Sequence, residues 1–304
     1  MSLIPNKKQI DNSSFLSFLF RGYMKFNLFK TSDITYAKKL FKKKFNQKLN
    51  LDNPKTFNEK IQWLKINDRT PSHTICADKI AVREYVKERL GEEYLIPLEN
   101  VFLDGIDLKK ENFTNEYPVI IKCNHNSGAY TIVRDVDTIN WENERNKYSN
   151  LLKQNYYHQG REWQYKNIEP KILVEKLLFD KNGNIPNDYK FFCFNGEAKF
   201  IQVDLDREIN HLRNFYNTDW DLLPVELIYD NGDEVEKPKA LELMLKLANE
   251  LAKEFVFARV DFYTLDKEIF FGEITFHPEA GFGVFNDNKH DLELGNHLSL
   301  EPLK

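Results

Sequence analysis

The chain has 304 residues, of which 41% are hydrophobic and 30% are charged, and its formal net charge is -4. This composition is typical of a soluble globular protein, and it excludes a polytopic membrane protein, a collagen and a wholly disordered chain. Three cysteines, Cys76, Cys123 and Cys193, are too few and too scattered for a disulfide scaffold or a metal cluster. Such cysteine usage fits a reducing cytoplasm.

Positive charge is concentrated near the N-terminus. Residues 1–50 hold 11 lysines and arginines against two acids, a net of +9, whereas the remainder holds 32 basic and 45 acidic residues, a net of -13. We expect this basic arm to contact an anionic membrane surface or an anionic glycan. A solvated lysine-rich helix docked on the acidic body is the alternative. No nucleic acid is expected, because no known binding motif accompanies the charge.

The most apolar early stretch covers residues 15–29. Arg21, Lys25 and Asn27 interrupt it, and it is shorter than the roughly 20 residues that a spanning helix needs. Two placements fit its aromatic side chains, namely the interface of a membrane and the surface of the protein body. We therefore expect a cytoplasmic protein, either free or peripheral at the inner face of the membrane.

Helical periodicity dominates the first hundred residues. Asp33 is predicted as the N-cap of a first helix, and Thr56 and Glu59 have the spacing of a capping box that opens a second. A third helix is predicted over residues 76–90, with Gly91 as its C-terminal stop.

Strand patterns begin after about residue 115 and alternate with further helices. The predicted strands cover residues 117–122, 131–133, 171–178, 190–194, 198–203, 256–263 and 268–275, and the predicted helices cover residues 141–156 and 238–255. Asn195-Gly196 predicts a hairpin turn. The order of these elements predicts an α+β fold with mostly antiparallel sheets.

The final predicted hairpin carries the most informative charged residues. Arg259 and Asp261 lie two positions apart on one strand, and Glu273 and Thr275 do so on the next, so each pair projects from one face. Asp261 and Glu273 would meet side by side, where a cation between them relieves their repulsion. Oxygen ligands favour Mg²⁺. A salt bridge of Arg259 with either acid explains the same pattern equally well.

Two weaker patterns precede this hairpin. Lys122 ends a strand before a loop with Ser127 and Gly128, where backbone N–H groups and the lysine could bind phosphate. Glu175 and Lys176 interrupt an apolar strand whose edge could hydrogen-bond an adenine. Taken singly, each pattern favours a structural explanation, which is a solvated lysine in the first case and a cross-strand ion pair in the second.

A rival pattern follows the hairpin turn. Asp204 and Asp206, after an apolar strand, resemble the acidic D-x-D of many glycosyltransferases, in which the acids hold a metal on a sugar nucleotide. The pattern is short and arises often by chance. A glycosyltransferase therefore stays the main alternative.

Taken together and in this order, the motifs resemble the ATP-grasp enzymes. The stretches that carry the resemblance are Lys122, 174–178, 188–190, 258–262 and 271–275 for the family, and 53–60, 77–86 and 187–191 for its TupA-like branch. That branch belongs to gene clusters for teichuronopeptide and capsular polysaccharide. The order of several motifs is far more specific than any one of them.

The resemblance implies a nucleotide site and names its residues. Adenine, ribose and the α/β-phosphates would be held by Glu175, Lys176, Leu178, Asp188, Lys122, Ser127 and Gly128. Lys190 is implied as a further phosphate contact, and Arg259 would stabilise the phosphoryl group in transfer. Mg²⁺ would bind Asp261 and Glu273. Thr275 stands where family ligases usually have Asn, which puts a second metal ion in doubt.

The implied activity is that of an ATP-dependent carboxylate–amine ligase. ATP phosphorylates an acid, an amine attacks the acyl phosphate, and an amide forms with release of ADP and phosphate. The acid would be a uronic acid of a surface polysaccharide or an amino acid joined to one. His277 and Gly281, in a turn slightly longer than the family's usual Pro-Gly turn, would take part in substrate binding.

The implied fold is the ATP-grasp fold, in which two α+β subdomains clamp ATP, here preceded by a helix-rich N-terminal region. We expect four parts along the chain. They are the basic arm at residues 1–50, the helix-rich region at 51–115, the small ATP-grasp subdomain at 116–170, and the C-terminal subdomain with the metal hairpin at 171–304.

Overall fold

The computed structural model describes residues 31–113, 118–181, 183–205 and 210–301. The apolar stretch at residues 15–29 and the predicted metal ligand Asp206 lie outside the described residues. The chain divides into two compact units, residues 1–49 and residues 50–304.

The described part of the first unit forms helix α1, Asp33–Phe45. Ser32 caps this helix, since its hydroxyl accepts a hydrogen bond from the backbone N–H of Thr35 at 3.3 Å. The prediction of Asp33 as the N-cap is therefore wrong by one residue. Asp33 instead occupies the first turn and three lysines occupy the last, so both charges complement the helix dipole.

Three helices open the second unit, namely α2 (Phe57–Asn67), α3 (Pro71–Ala77) and α4 (Val82–Arg89). The capping box of Thr56 and Glu59 at the start of α2 is confirmed. The prediction of one helix over residues 76–90 is wrong. The carboxylate of Asp78 accepts a hydrogen bond from the backbone N–H of Ile80 at 2.8 Å, and this local turn competes with the helix and separates α3 from α4.

The first sheet has four strands, which are β1 (Leu98–Phe102), β2 (Val119–Cys123), β3 (Tyr130–Val133) and β4 (Ile172–Lys176). Their order is β1-β4-β2-β3, and all pairs are antiparallel. Helix α5 (Trp141–Leu152) covers one face. Its Tyr148 is completely buried and donates to the carbonyl of Ile121 at 2.8 Å. The short helix α6 (Tyr157–Gly160) follows.

The second sheet has six strands, which are β5 (Asp188–Phe194), β6 (Glu197–Leu205), β7 (Leu212–Asn217), β8 (Leu222–Leu223), β9 (Phe257–Leu265) and β10 (Glu268–Thr275). Their order is β10-β9-β5-β6-β7-β8, again antiparallel throughout. The Asn195-Gly196 turn between β5 and β6 is confirmed, with φ of 50° and 85°. An α+β fold with antiparallel sheets is therefore confirmed.

Two helices complete the second unit, α7 (Leu241–Ala252) and α8 (Asn288–His297). Met244, Ala248 and Leu251 form a completely buried stripe on α7 and join the core of the second sheet. Helix α8 lies beside α2, where Lys60 Nζ donates to the carbonyl of Gly295 at 2.8 Å. Among the described residues, no helix is long and apolar enough to cross a membrane.

Candidate functional site

A cleft of about 770 Å³ lies between the first sheet, the second sheet and the turn before α4. Its charged lining residues include Lys79, Lys122, Lys176, Asp188, Lys190, Asp204, Asp261 and Glu273. Ser127, Gly128 and Leu178 line the same cleft. The structure thus brings together most of the predicted site residues, although they are scattered along the sequence.

Lys122, Arg83 and Glu175 form a network of ion pairs beside the first sheet, with two positive charges and one negative charge. Lys122 Nζ lies 3.0 Å from Glu175 Oε2, and Arg83 Nη1 lies 3.1 Å from Glu175 Oε1. These contacts follow from the pairing of β2 with β4, which sets Ile120 opposite Glu175. The cross-strand ion pair that was the structural alternative for Glu175 is therefore present, with an additional arginine from α4.

Lys79 is a site residue to which the sequence analysis gave no role. Its Nζ donates to the backbone carbonyl of Asn126 at 2.5 Å, which fixes the ammonium beside the Ser127–Gly128 loop. Burial and the neighbouring charge of Lys122 lower the pKa of Lys79. The Asp78-Lys79 pair inside the stretch at residues 77–86 was the signal that could have identified it.

The loop that follows β2 lines the cleft and has open space beside Gly128. Gly128 has φ of +85°, and a Cβ built there would meet nothing within 4 Å. Only glycine adopts this left-handed conformation without strain. Ser127 forms a side-chain hydrogen bond with Tyr156. This loop therefore presents backbone groups and open space on the side of the cleft where Lys79 and Lys122 supply positive charge.

A row of buried charged side chains crosses one face of the second sheet. This face lies opposite the lysines of the first sheet. Lys190 on β5 forms an ion pair with Asp188, contacts Asp261 Oδ2 at 2.9 Å and lies 3.9 Å from Asp204 Oδ2. Burial disfavours its ammonium form, but Asp188 and Asp261 more than compensate and raise the pKa of Lys190. Lys190 is therefore a fixed positive charge in the cleft wall.

Arg259 connects the two acids of the β9–β10 hairpin. Its Nε and Nη2 donate to Asp261 at 2.8 Å and 2.7 Å, and Nη2 also donates to Glu273 Oε1 at 3.2 Å and to the Thr275 hydroxyl at 3.1 Å. Burial alone would raise the pKa of Glu273, but Lys79, Arg259 and the other cleft cations lower it to about 2. Glu273 is thus ionised at every physiological pH.

The carboxylates of this hairpin suit a magnesium ion that is bound partly by the protein and partly by phosphate oxygens. Asp261 and Glu273 are directly opposed in the strand register, and their carboxylate oxygens are ligands that Mg²⁺ prefers. Within the described ranges, no group of three or more His, Cys, Asp or Glu side chains could hold a metal ion by itself. Phosphate oxygens would therefore have to complete the coordination shell.

Asp204, the first acid of the D-x-D pattern, accepts hydrogen bonds from neighbouring side chains. It is 3% exposed, and its Oδ1 accepts from Arg213 Nε at 2.7 Å and from Gln202 Nε2 at 3.0 Å. The second acid, Asp206, lies outside the described residues, and the structure shows Asp204 as a counterion of Arg213 and, at a longer distance, of Lys190.

The predicted substrate residues His277 and Gly281 lie in the turn that follows β10. Glu279, Ala280 and Gly281 all have positive φ, at 52°, 52° and 71°, a conformation that costs energy for side-chain-bearing residues. Lys65 Nζ stabilises the turn by donating to the carbonyl of Ala280 at 2.7 Å. Burial and the charge of Lys65 hold the pKa of His277 well below its ordinary value.

The TupA-like ATPgrasp family model matches residues 59–299. This match confirms the resemblance stated from the sequence. A search of curated proteins found no match.

Solved structures similar to this chain include D-alanine–D-alanine ligases from Bacillus anthracis, in complex with ATP, and from Helicobacter pylori. The first is 17% identical, with a TM-score of 0.41 and coverage of 74% of this chain and 63% of that one. The second is 16% identical, with a TM-score of 0.42 and coverage of 80% and 69%. An L-amino acid ligase from Bacillus licheniformis is 13% identical, with a TM-score of 0.41 and coverage of 74% and 49%. This chain thus spans between about half and about two thirds of their lengths.

Proposed function

The chain belongs to the TupA-like ATP-grasp family, and we propose that it is an ATP-dependent carboxylate–amine ligase. The observation that carries this proposal is the charge arrangement of the cleft. Three of the four lysines that line this cavity, Lys79, Lys122 and Lys190, are proposed to contact phosphate, and the opposed acids Asp261 and Glu273 line the same cavity. Such a cavity suits a polyphosphate whose negative charge is neutralised by the lysines together with a metal ion.

The nucleotide would lie between the two sheets. In this proposal Lys79, Lys122, Ser127 and Gly128 bind the phosphates, while Glu175, Lys176 and Leu178 hold the adenine and Asp188 holds the ribose. Strands β2 and β3 of the first sheet would belong to the small subdomain, residues 116–170, whereas β4 and the second sheet would belong to the C-terminal subdomain, residues 171–304. The helix-rich region at 51–115 would contribute Lys79.

Asp261 and Glu273 would bind Mg²⁺, with Thr275 as a weaker hydroxyl ligand. The ion would neutralise phosphate charge when it is bound. Arg259 already holds Asp261 and Glu273 in place, so it is positioned to stabilise the negative charge of a phosphoryl group in transfer. Lys190 would add a second fixed charge to the same wall.

The reaction would proceed in two steps. An oxygen of the acid attacks the γ-phosphorus of ATP, and ADP leaves with the electron pair of the broken P–O bond. The nitrogen of an amine then attacks the acyl carbon, and phosphate leaves. Positioning and charge neutralisation by this chain's residues would supply most of the catalysis.

The acid is proposed to be a uronic acid of a capsular or other surface polysaccharide, or an amino acid joined to one, and His277 and Gly281 are proposed to contribute to substrate binding. This choice rests on the resemblance to the TupA-like branch, which belongs to gene clusters for teichuronopeptide and capsular polysaccharide. We also propose that the basic arm, which carries a net +9 over residues 1–50, contacts an anionic membrane surface or glycan. The protein would then be cytoplasmic, or peripheral at the inner face of the membrane.

Ligand-induced stabilisation tests the nucleotide class directly. Mg·ATP should raise the melting temperature, because a ligand at 100 times its dissociation constant adds about 2.7 kcal/mol to the free energy of unfolding. UDP-sugars should not raise it. ADP release with a panel of uronic acids and amino acids then identifies the acid. A shift with UDP-sugars and none with Mg·ATP would exclude the ligase and favour the glycosyltransferase.

A further inference from the structure

A buried polar cluster lies against the turn that follows β10. It consists of Gln62 and Lys65 on α2, Glu162 and Gln164 after α6, and His277 after β10, and we call it the Glu162 cluster. Each of these residues is at most 7% exposed. The nucleotide proposal gives no role to the segment at residues 156–165, although five of its members are buried polar or aromatic residues, namely Tyr157, Arg161, Glu162, Gln164 and Tyr165.

The cluster is held together by hydrogen bonds from α2. Lys65 Nζ donates to the carbonyls of Gly160 and Ala280, at 2.9 Å and 2.7 Å. A Cβ built on Gly160 would lie 2.8 Å from both Glu162 Oε2 and Ala280 Cβ. The absence of a side chain at Gly160 therefore leaves room for the Glu162 carboxylate beside the strained turn.

One member of the cluster, His277, follows β10 of the β9–β10 hairpin by two residues. Glu273, Thr275 and His277 follow one another at alternate positions, and His277 Nδ1 lies 3.9 Å from Glu162 Oε1. The charges of both Glu162 and Glu273 act on Tyr156, which also hydrogen-bonds Ser127. Glu162 therefore lies near the metal hairpin and not at the Glu175 end of the cleft.

The unsatisfied groups of this cluster are mainly hydrogen-bond acceptors. Gln62 Oε1 and Gln164 Oε1 are buried and have no hydrogen-bond partner among the residues that the structure describes. The orientation of the Gln62 amide is fixed, because its Nε2 donates to the carbonyls of Ala280 and Gly281. Buried acceptors without partners are costly, and a ligand that supplies N–H donors would satisfy them. An ammonium group offers three such donors, whereas a carboxylate offers none.

We propose that the Glu162 cluster is the subsite for the amine substrate, in which Glu162 binds the ammonium group and accepts the proton that must leave before the nitrogen attacks. This inference rests on the proposed ligase function. The nitrogen lone pair forms the N–C bond, and the C–O bond to phosphate breaks with its electron pair on the phosphate. The first proton passes from nitrogen to the Glu162 carboxylate, and the second, lost as the amide forms, passes to the departing phosphate.

The surroundings of Glu162 suit a proton acceptor at neutral pH. Burial raises the pKa of Glu162 to about 7, and the charge of Lys65 opposes this rise while Glu279 and Glu273 add to it. The titratable groups that face it are Lys65 on α2, Tyr156 and Tyr165 on its own segment, His277 and Glu279 in the turn, and Glu273 on β10. A base with a pKa near the working pH transfers protons most effectively.

The test separates the two chemical steps in the full chain. Activation of the acid is followed without amine, as exchange of ¹⁸O between the β,γ-bridge and the β-nonbridge positions of Mg·ATP, with D-glucuronate, D-galacturonate and individual amino acids as probes. Amide formation is followed by mass spectrometry, with amino acids and with hydroxylamine as the amine. Hydroxylamine is uncharged at neutral pH, so it does not need the first deprotonation.

Glu162→Gln should leave the isotope exchange within about twofold of wild type and lower amide formation from amino acids by about 100-fold or more. The yield with hydroxylamine should fall by less than about tenfold, since the first proton transfer is not required. Glu162→Asp, which keeps the carboxylate, should recover part of the lost rate. The matched control is Glu169→Gln, because Glu169 is a nearby glutamate whose side chain is 80% exposed, and it should match wild type in every measurement.

Two results would overturn the inference while leaving the ligase in place. One is amide formation by Glu162→Gln at the wild-type rate. The other is an equal loss of exchange, amino acid product and hydroxylamine product, which would make Glu162 structural. Absence of exchange in wild-type protein with every acid would instead refute the proposed function, and the inference with it.

Discussion

Asp261 and Glu273 lie opposite each other on β9 and β10, and Arg259 Nη2 donates to both, at 2.7 Å and 3.2 Å. The two acids are not equivalent. Asp261 is 2% exposed in its side chain and also accepts from Lys190 at 2.9 Å, whereas the Glu273 side chain is 35% exposed. Asp261 is therefore the main counterion of the buried cations, and Glu273 is the acid more available to a ligand.

Glu273→Gln should remove catalysis and preserve the fold. ATP turnover should fall by at least about 100-fold, because the fixed negative charge at the metal hairpin is lost. The free energy of unfolding should fall by less than the roughly 3–5 kcal/mol that losing a fully buried ion-pair partner costs, since Arg259 keeps its two hydrogen bonds to Asp261. ADP release and urea unfolding measure the two effects. Glu268→Gln, at the exposed start of the same strand, is the control and should change neither.

A large drop in stability with normal turnover in the remaining folded Glu273→Gln protein would make Glu273 a scaffold residue. The proposal that it binds magnesium would then be wrong.

Asp261→Asn should destabilise the fold in addition to removing a proposed magnesium ligand. The change leaves Arg259 and Lys190, 8% and 5% exposed, without their shared carboxylate. Breaking a buried ion pair in this way costs about 3–5 kcal/mol of unfolding free energy, which urea titration would detect. Asp266→Asn, in the exposed turn of the same hairpin, should leave the free energy of unfolding almost unchanged. An equally small loss of unfolding free energy in Asp261→Asn and Asp266→Asn would contradict the structural role of Asp261.

The sequence predicted those parts of the fold that depend on short-range patterns. The capping box at Thr56 and Glu59 and the turn at Asn195-Gly196 are confirmed because both arise from interactions within four residues. Period-two alternation likewise identified Arg259, Asp261, Glu273 and Thr275 as one group, and hydrogen bonds connect all four in the structure.

Contacts between residues that are far apart in sequence leave no short-range pattern. Glu175 forms ion pairs with Arg83 and Lys122, which are 92 and 53 residues away in sequence. Lys79 enters the cleft because an Asx turn at Asp78 interrupts what the periodicity predicted as one helix. The segment with Glu162 has no periodicity of its own, since a four-residue helix and a 3-10 turn form it. Only the tertiary contacts with α2 and the β10 turn bring its carboxylate toward Glu273.

Removing residues 1–30 should weaken binding to anionic surfaces and leave ATP binding intact. This stretch contains five lysines and arginines and one acid, and each basic residue near an anionic membrane contributes about 1 kcal/mol. Sedimentation with phosphatidylglycerol vesicles, and retention on polygalacturonate, would measure binding at low and high salt. Both should weaken as salt rises. Equal binding by the truncated and full-length chains would refute a role for this stretch.

Glu162 should make the fold less stable as the pH rises toward neutrality. Burial raises its pKa from 4.5 to about 7, against the charge of Lys65. Between these values the folded chain keeps a proton that the unfolded chain releases, so the free energy of unfolding falls with rising pH, by up to about 3 kcal/mol over the window. Glu162→Gln cannot ionise. Urea titrations between about pH 4 and about pH 8 should therefore show the variant gaining stability relative to wild type, while the exposed control Glu169→Gln should not. If the free energies of unfolding of Glu162→Gln and wild type differ by a constant amount over that pH range, Glu162 titrates in the folded chain as it does in the unfolded chain.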